Sequence, residues 1–82
     1  MKKLLCEVLS KCYEISTNTE ADVFFDYSPH VNSFSVFVYR NGWTPETAGD
    51  MEYLALSIKA TKGNLISTMA KLLDLECELG VA

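Results

Sequence analysis

The 82-residue chain is poor in the side chains that do chemistry. It has one histidine, His30, and no Gly-x-Ser-x-Gly elbow, so a hydrolytic dyad or triad has no base with a nucleophile beside it. Its three cysteines, Cys6, Cys12 and Cys77, contain no Cys-x-x-Cys pair. On a helix Cys6 and Cys12 stand about 120° apart around the axis, too divergent for a shared metal or a bridge. They read as small reduced side chains in or near a core. His30 has only Asp26 at four-residue spacing, across a strand end, which is no metal set. Asp22 and Asp26 lie about 13 Å apart on a strand at its ~3.3 Å rise, too far for shared acid–base work. Neither a metal nor a cofactor is expected, and no enzymatic activity.

Basic residues are also scarce. Lys and Arg number 7 against 11 Asp and Glu, a net charge of −4 with a pI of about 4.8. That balance argues against a dedicated binder of nucleic acid or of anionic membranes. No window approaches the roughly 18 apolar residues of a membrane span. In "MKKLLCEVL" the apolar stretch Leu4-Leu5-Cys6 is cut off by Glu7, short of the roughly 7–15 residues a secretory signal needs. A cytoplasmic protein with no membrane contact is expected. Thr61-Lys62-Gly63-Asn64 could open a helix onto an anion, but it lacks the G-x-x-x-x-G-K-[ST] pattern and reads as a plain cap.

What is present is ordinary globular composition, 49% apolar and 22% charged. The length suits one domain, residues 1–82, with one modest core. From Lys3 to Ser16, Leu4, Leu5, Val8, Leu9, Cys12 and Ile15 repeat at three and four, drawing a helical stripe. Glu7 and Lys11 form a favourable i,i+4 pair on its other side. Three alternating segments follow. They are Ala21–Tyr27, Ser33–Arg40 with Phe34, Val36 and Val38 on one face, and Met51–Lys59 with Leu54, Leu56 and Ile58 on one face. Ser28-Pro29-His30-Val31-Asn32 and the stretch from Asn41-Gly42 to Asp50 read as loops. A second helix starts at Thr61 or Asn64 and carries Leu65, Ile66, Met69, Leu72, Leu73 and Cys77 to a stop at Gly80.

The expected fold is α+β: an α-β-β-β-α two-layer sandwich with a three-stranded antiparallel sheet and both helices on one face. The expected core is Leu5, Val8, Leu9, Cys12, Val23, Phe25, Phe34, Val36, Val38, Leu54, Leu56, Ile58, Ile66, Met69 and Leu73. Parity then sends Phe24, Phe37, Tyr39 and Tyr53 to the uncovered face, with Trp43 at its rim. Taking Val38 opposite Leu54 places Tyr39 opposite Tyr53; taking Val23 opposite Val38 places Phe24 opposite Phe37. Asp22, Asp26 and Glu52 fall on or beside this face, and Arg40 is the one cation nearby. Such a surface reads in three ways: as cross-strand pairs that stabilise the sheet, as a surface for a protein partner or a homodimer, or as a platform for stacking bases. The acidic rim disfavours the last.

Two resemblances add to this reading. The order α-β-β-β-α and the string "SPHVNSFSVFVYRNG", with Pro29, His30, Phe34, Val36, Val38 and Gly42, resemble the double-stranded-RNA-binding domain. The resemblance implies RNA contacts from His30 in the first loop and from Lys59 and Lys62 around the start of the second helix. That family's K-K-x-x-K run is replaced here by Thr61-Lys62-Gly63-Asn64-Leu65. In size, acidic balance and the block "VFFDYSPHVNSFSVFVYRNGW", the chain also resembles short uncharacterised proteins of phages and prophages of Gram-positive bacteria, which implies no particular activity. The function expected from all of this is a non-enzymatic interaction protein, with a degenerate double-stranded-RNA binder as the alternative.

Overall fold

The computed structural model describes residues 1–80, apart from the side chain of Ala48. The chain forms α1 (Lys2–Asn18), β1 (Asp22–Ser28), β2 (Ser33–Tyr39), a short 3₁₀ helix (Pro45–Asp50), β3 (Glu52–Lys59) and α2 (Lys62–Glu78). The sheet is antiparallel in the order β1-β2-β3. α1 packs on β1, α2 packs on β3 and the helices touch each other, so both lie side by side on one face. This is the α-β-β-β-α sandwich that the periodicities predict.

α1 runs two residues beyond Ser16 because its polar end bonds backwards along the helix. Ser16 Oγ donates to the Cys12 carbonyl (2.9 Å) and Thr17 Oγ1 to that of Tyr13 (3.0 Å). Lys11 does not pair with Glu7; its ammonium bridges Glu14 and, across to α2, Glu76 (each 3.3 Å). Thr61 caps α2 through the Asn64 N–H (3.2 Å), and Asn64 Nδ2 donates to the Lys59 carbonyl (2.9 Å). The candidate anion site is therefore a cap. Gly42 turns the chain out of β2 in the left-handed region (φ +86°), where an added Cβ would sit 3.1 Å from the Glu20 carbonyl oxygen. The following loop winds into the 3₁₀ turn through a reciprocal Thr44–Thr47 cap with Pro45 at its start.

The buried core is Val8, Cys12, Ile15, Ala21, Phe34, Val36, Val38, Ala55, Ala60, Leu65, Leu72 and Leu75, with Leu5, Val23, Phe25, Leu54, Ile58 and Met69 half-buried against it. Four expected core residues lie outside it: Leu9, Leu56, Ile66 and Leu73 are each about half exposed. For the helical three the reason is the layer count. In a two-layer domain a helix is covered on one side only, so the stripe that packs is narrow: Val8, Cys12 and Ile15 on α1, Leu65, Thr68, Leu72 and Leu75 on α2.

Leu56 has a different reason. The β2–β3 ladder starts as Ser33–Lys59 and Phe34–Ile58, shifts to Val36–Ala55, and shifts again to Phe37–Tyr53 and Val38–Glu52. β3 thus holds two residues more than a regular strand would, a doubly bulged edge. Ser57 takes the left-handed conformation (φ +47°) and its N–H bonds to Ser35 Oγ (2.9 Å). Leu54 and Ala55 both serve the core, and alternation from Ala55 sends Leu56 to the uncovered face.

Candidate interaction face

The uncovered face is built on β2, with β1 and β3 on either side. The β1–β2 register sets Phe24 opposite Phe37 and Asp22 opposite Tyr39. The Phe24 and Phe37 rings stack almost parallel, 5.0 Å between centroids. Tyr39 meets Phe24 edge-on at 5.7 Å and Phe37 at 6.4 Å, and Tyr53 leans on Phe37 at 5.6 Å. The structure therefore brings the four expected aromatics into one contiguous cluster, at distances where ring pairs attract.

Their roles differ from expectation in two respects. Because of the bulges Tyr53 lies opposite Phe37, not Tyr39. Tyr39 is only 7% exposed: it is enclosed by Phe24 and Phe37 at the end of β2 where the 3₁₀ turn packs, so it supports the face without presenting it. The presented residues are Phe24 (40% exposed) and Tyr53 (45%), with Phe37 between them half-buried and Leu56 beside them. Leu56 is the member that pattern reading missed. Its only sequence signal, the Leu54/Leu56/Ile58 alternation, points the wrong way. Trp43 stands exposed at the Asp22 end, held through its backbone N–H to Asp22 Oδ2 (2.7 Å), and makes no ring contact with the four among the described residues.

The charges sort by face as well. Asp22 and Asp26 share the aromatic side of β1, and Lys59, opposite Ser33, lies on the same side at the far end of β3. Glu52 is not part of this rim. It lies opposite Val38 on the helix side, bound by Arg40, whose Nε and Nη2 donate to its oxygens at 2.8 and 3.3 Å. Arg40 Nη2 also reaches Glu78 on α2 (3.1 Å). The Arg40 hydrogen bonds hold the Glu52 carboxyl below its ordinary range, and those of Glu52 and Glu78 raise the guanidinium in turn. Arg40 is thus withdrawn from the aromatic face.

His30, Lys59 and Lys62 come together at the opposite end of the sheet. Lys59 pairs with Ser33, Ala60 N–H bonds to the Asn32 carbonyl, and Lys62 opens α2 immediately after. Lys59 Nζ donates to the Val31 carbonyl (2.7 Å), while His30 is exposed in its turn. A cavity of about 300 Å³ at this end is lined mainly by Met1, Leu5, Tyr27, Ala60 and Leu65, and neither His30 nor a carboxylate borders it. Cys12 is buried, as expected, and burial pushes its thiol up to about 12; Cys6 and Cys77 are exposed. Among the described residues no cluster of His, Cys, Asp or Glu could hold a metal ion, and no helix is long and apolar enough to cross a membrane. Compared with known proteins, the chain matches no protein family, no curated protein and no solved structure.

Proposed function

We propose that the chain is a small non-enzymatic binding protein whose uncovered sheet face contacts another protein, a second copy of itself included. The observation that carries this is the joined cluster Phe24–Phe37–Tyr53, presented to solvent on the side of the sheet that neither helix covers. Each aromatic can bury roughly 150–250 Å². At about 25 cal/mol per Å² their remaining exposure is a substantial driving force for association, offset in part by lost translational freedom. Photo-cross-linking tests it. A benzoylphenylalanine at position 24 or 53, expressed in the native cell, should yield protein adducts, while the same group at Tyr13, 71% exposed on α1, should not. Equal yields at all three positions reject the face.

A second reading, contact with double-stranded RNA, has one observation in its favour: His30, Lys59 and Lys62 share one end of the molecule. Against it, Lys59 is occupied by the Val31 carbonyl and the net charge is −4. A mobility-shift titration at low salt separates the readings, because phosphate contacts give steep salt dependence. Retardation that vanishes in His30→Ala with Lys62→Ala supports RNA; none at high micromolar protein removes it.

A further inference from the structure

The pattern on the uncovered face is complementary to itself. Its central row is Phe24–Phe37–Tyr53, one ring on each strand, so it reads the same from either edge. Beyond that row, toward the far end of the sheet, the two edges carry opposite charges. Asp26 is exposed on β1, opposite Ser35, and Lys59 is exposed on β3, opposite Ser33. Between them β2 offers only the short side chains of Ser33 and Ser35. Lys59 Nζ gives one proton to the Val31 carbonyl (2.7 Å) and keeps two for a further acceptor.

A two-fold axis running along β2 turns such a face onto itself. β1 of one copy then lies over β3 of the other, and the two sheets run aligned, as in a sandwich. Phe24 of each copy meets Tyr53 of the other, Phe37 meets Phe37, and Asp26 of each copy faces Lys59 of the other. The two charged positions are offset by two residues along the strands, about 7 Å, which the four-carbon lysine stem spans. An axis across the strands would instead lay β1 on β1 and set Asp22 and Asp26 of one copy against those of the other, which like charge opposes. The strands are seven, seven and eight residues long, and at the usual spacings two such faces bury on the order of 1,000 Å² in total, the least a specific interface needs. Resting on the protein-binding reading of this face, we infer that its partner is a second copy of this chain. The copies meet face to face about the axis along β2, with symmetric Asp26–Lys59 pairs flanking the matched aromatic rows.

Sedimentation equilibrium on the full chain tests this. Wild type should form a dimer at micromolar concentration. Asp26→Lys alone sets lysine against lysine in both pairs, and Lys59→Asp alone sets aspartate against aspartate, so each should weaken its own dimer at least about tenfold. An equimolar mixture of the two variants restores both pairs and should associate within about threefold of wild type. Glu7→Lys, the same change of charge on the exposed side of α1, should shift the dimer less than about twofold. Thermal melts of each variant confirm folding, which these exposed positions leave intact. A mixture that associates no better than the variants alone, or a dimer that persists in Phe24→Ser with Tyr53→Ser, overturns the inference. A wild type that stays monomeric at high micromolar concentration overturns it as well. Adducts to another protein at positions 24 or 53 then leave the protein-binding reading standing, and their absence removes both.

Discussion

The two ladders of the sheet share β2 but are built differently. Between β1 and β2 one register holds from Asp22–Tyr39 to Ser28–Ser33, and every side chain falls on the face that alternation assigns it. Between β2 and β3 the register breaks twice, and Leu54, Ala55, Leu56 and Ser57 leave strict alternation. The regular ladder carries the Phe24–Phe37 stack; the broken one brings Tyr53 under Phe37 and turns Leu56 outward. The irregular edge also resists further pairing, because a left-handed residue and a bulge twist it away from an incoming strand. The β1 edge is straight. There Ser16 of α1 takes over one position, its hydroxyl oxygen accepting from the Val23 N–H (2.9 Å) while its proton goes to the Cys12 carbonyl.

The largest contrast to test lies within the broken ladder. Phe34, 1% exposed and opposite Ile58, should lose about 3–5 kcal/mol as Phe34→Ala, while Leu56→Ala should cost less than about 0.5 kcal/mol. Urea unfolding followed by circular dichroism measures both. A Leu56→Ala loss comparable to that of Phe34→Ala would mean that β3 runs regularly in solution. Next in size is the bulge itself. Ser57→Val should destabilise by about 1–2 kcal/mol, because a β-branched residue resists a positive φ, and Ser57→Gly should be neutral or stabilising by up to ~1 kcal/mol. Equal stability of the two variants breaks the bulge assignment.

On the regular side, Ser16→Ala should cost about 1 kcal/mol and speed hydrogen exchange at the Val23 amide more than at Phe37 in the central strand. Unchanged protection at Val23 would show that α1 does not cover that edge. The smallest effect belongs to the exposed pair closing the end of the broken ladder. Arg40 holds Glu52 below its ordinary range, so the pair stabilises the fold above the unfolded carboxyl value of about 4.3 and the gain disappears as pH falls through the lower folded value. Glu52→Gln should therefore lower stability by less than ~1 kcal/mol at pH 7, and the difference in Tm from wild type should shrink as the pH is taken down through the lowered folded value of the carboxyl.

Much of this was readable from residue patterns, because both helices and all three strands carry clean periods of about 3.6 and 2. The β1–β2 register followed from matching Val23 to Val38. The aromatic face followed from the same parity at Phe24, Phe37 and Tyr39. Periodicity could not separate Leu65 from Ile66 or Leu72 from Leu73, since both members of each pair lie within one broad apolar arc. It also could not see that Thr68 would be buried with its hydroxyl bonded to the Asn64 carbonyl (2.8 Å). Arg40 and Glu52 looked like neighbours of the aromatics until the strand ends placed them on the helix side with Glu78.

Local composition alone determined the order of elements, the turns at Asn32 and Gly42, the left-over aromatic parity and the shortage of catalytic groups. Each depends on the preferences of a few adjacent residues, and these agree with one another along the chain. Tertiary structure decided which part of each apolar arc is covered, which aromatic is presented and which carboxylates are paired. Those outcomes depend on how many layers press on a helix, on two extra residues in β3 and on partners far apart in sequence, such as Arg40 with Glu78 and Lys11 with Glu76. A single-residue shift in pairing exchanges the two faces of a strand, so the ladder partners, and not the β3 segment's own alternation, placed Tyr53 against Phe37 and Leu56 outside the core.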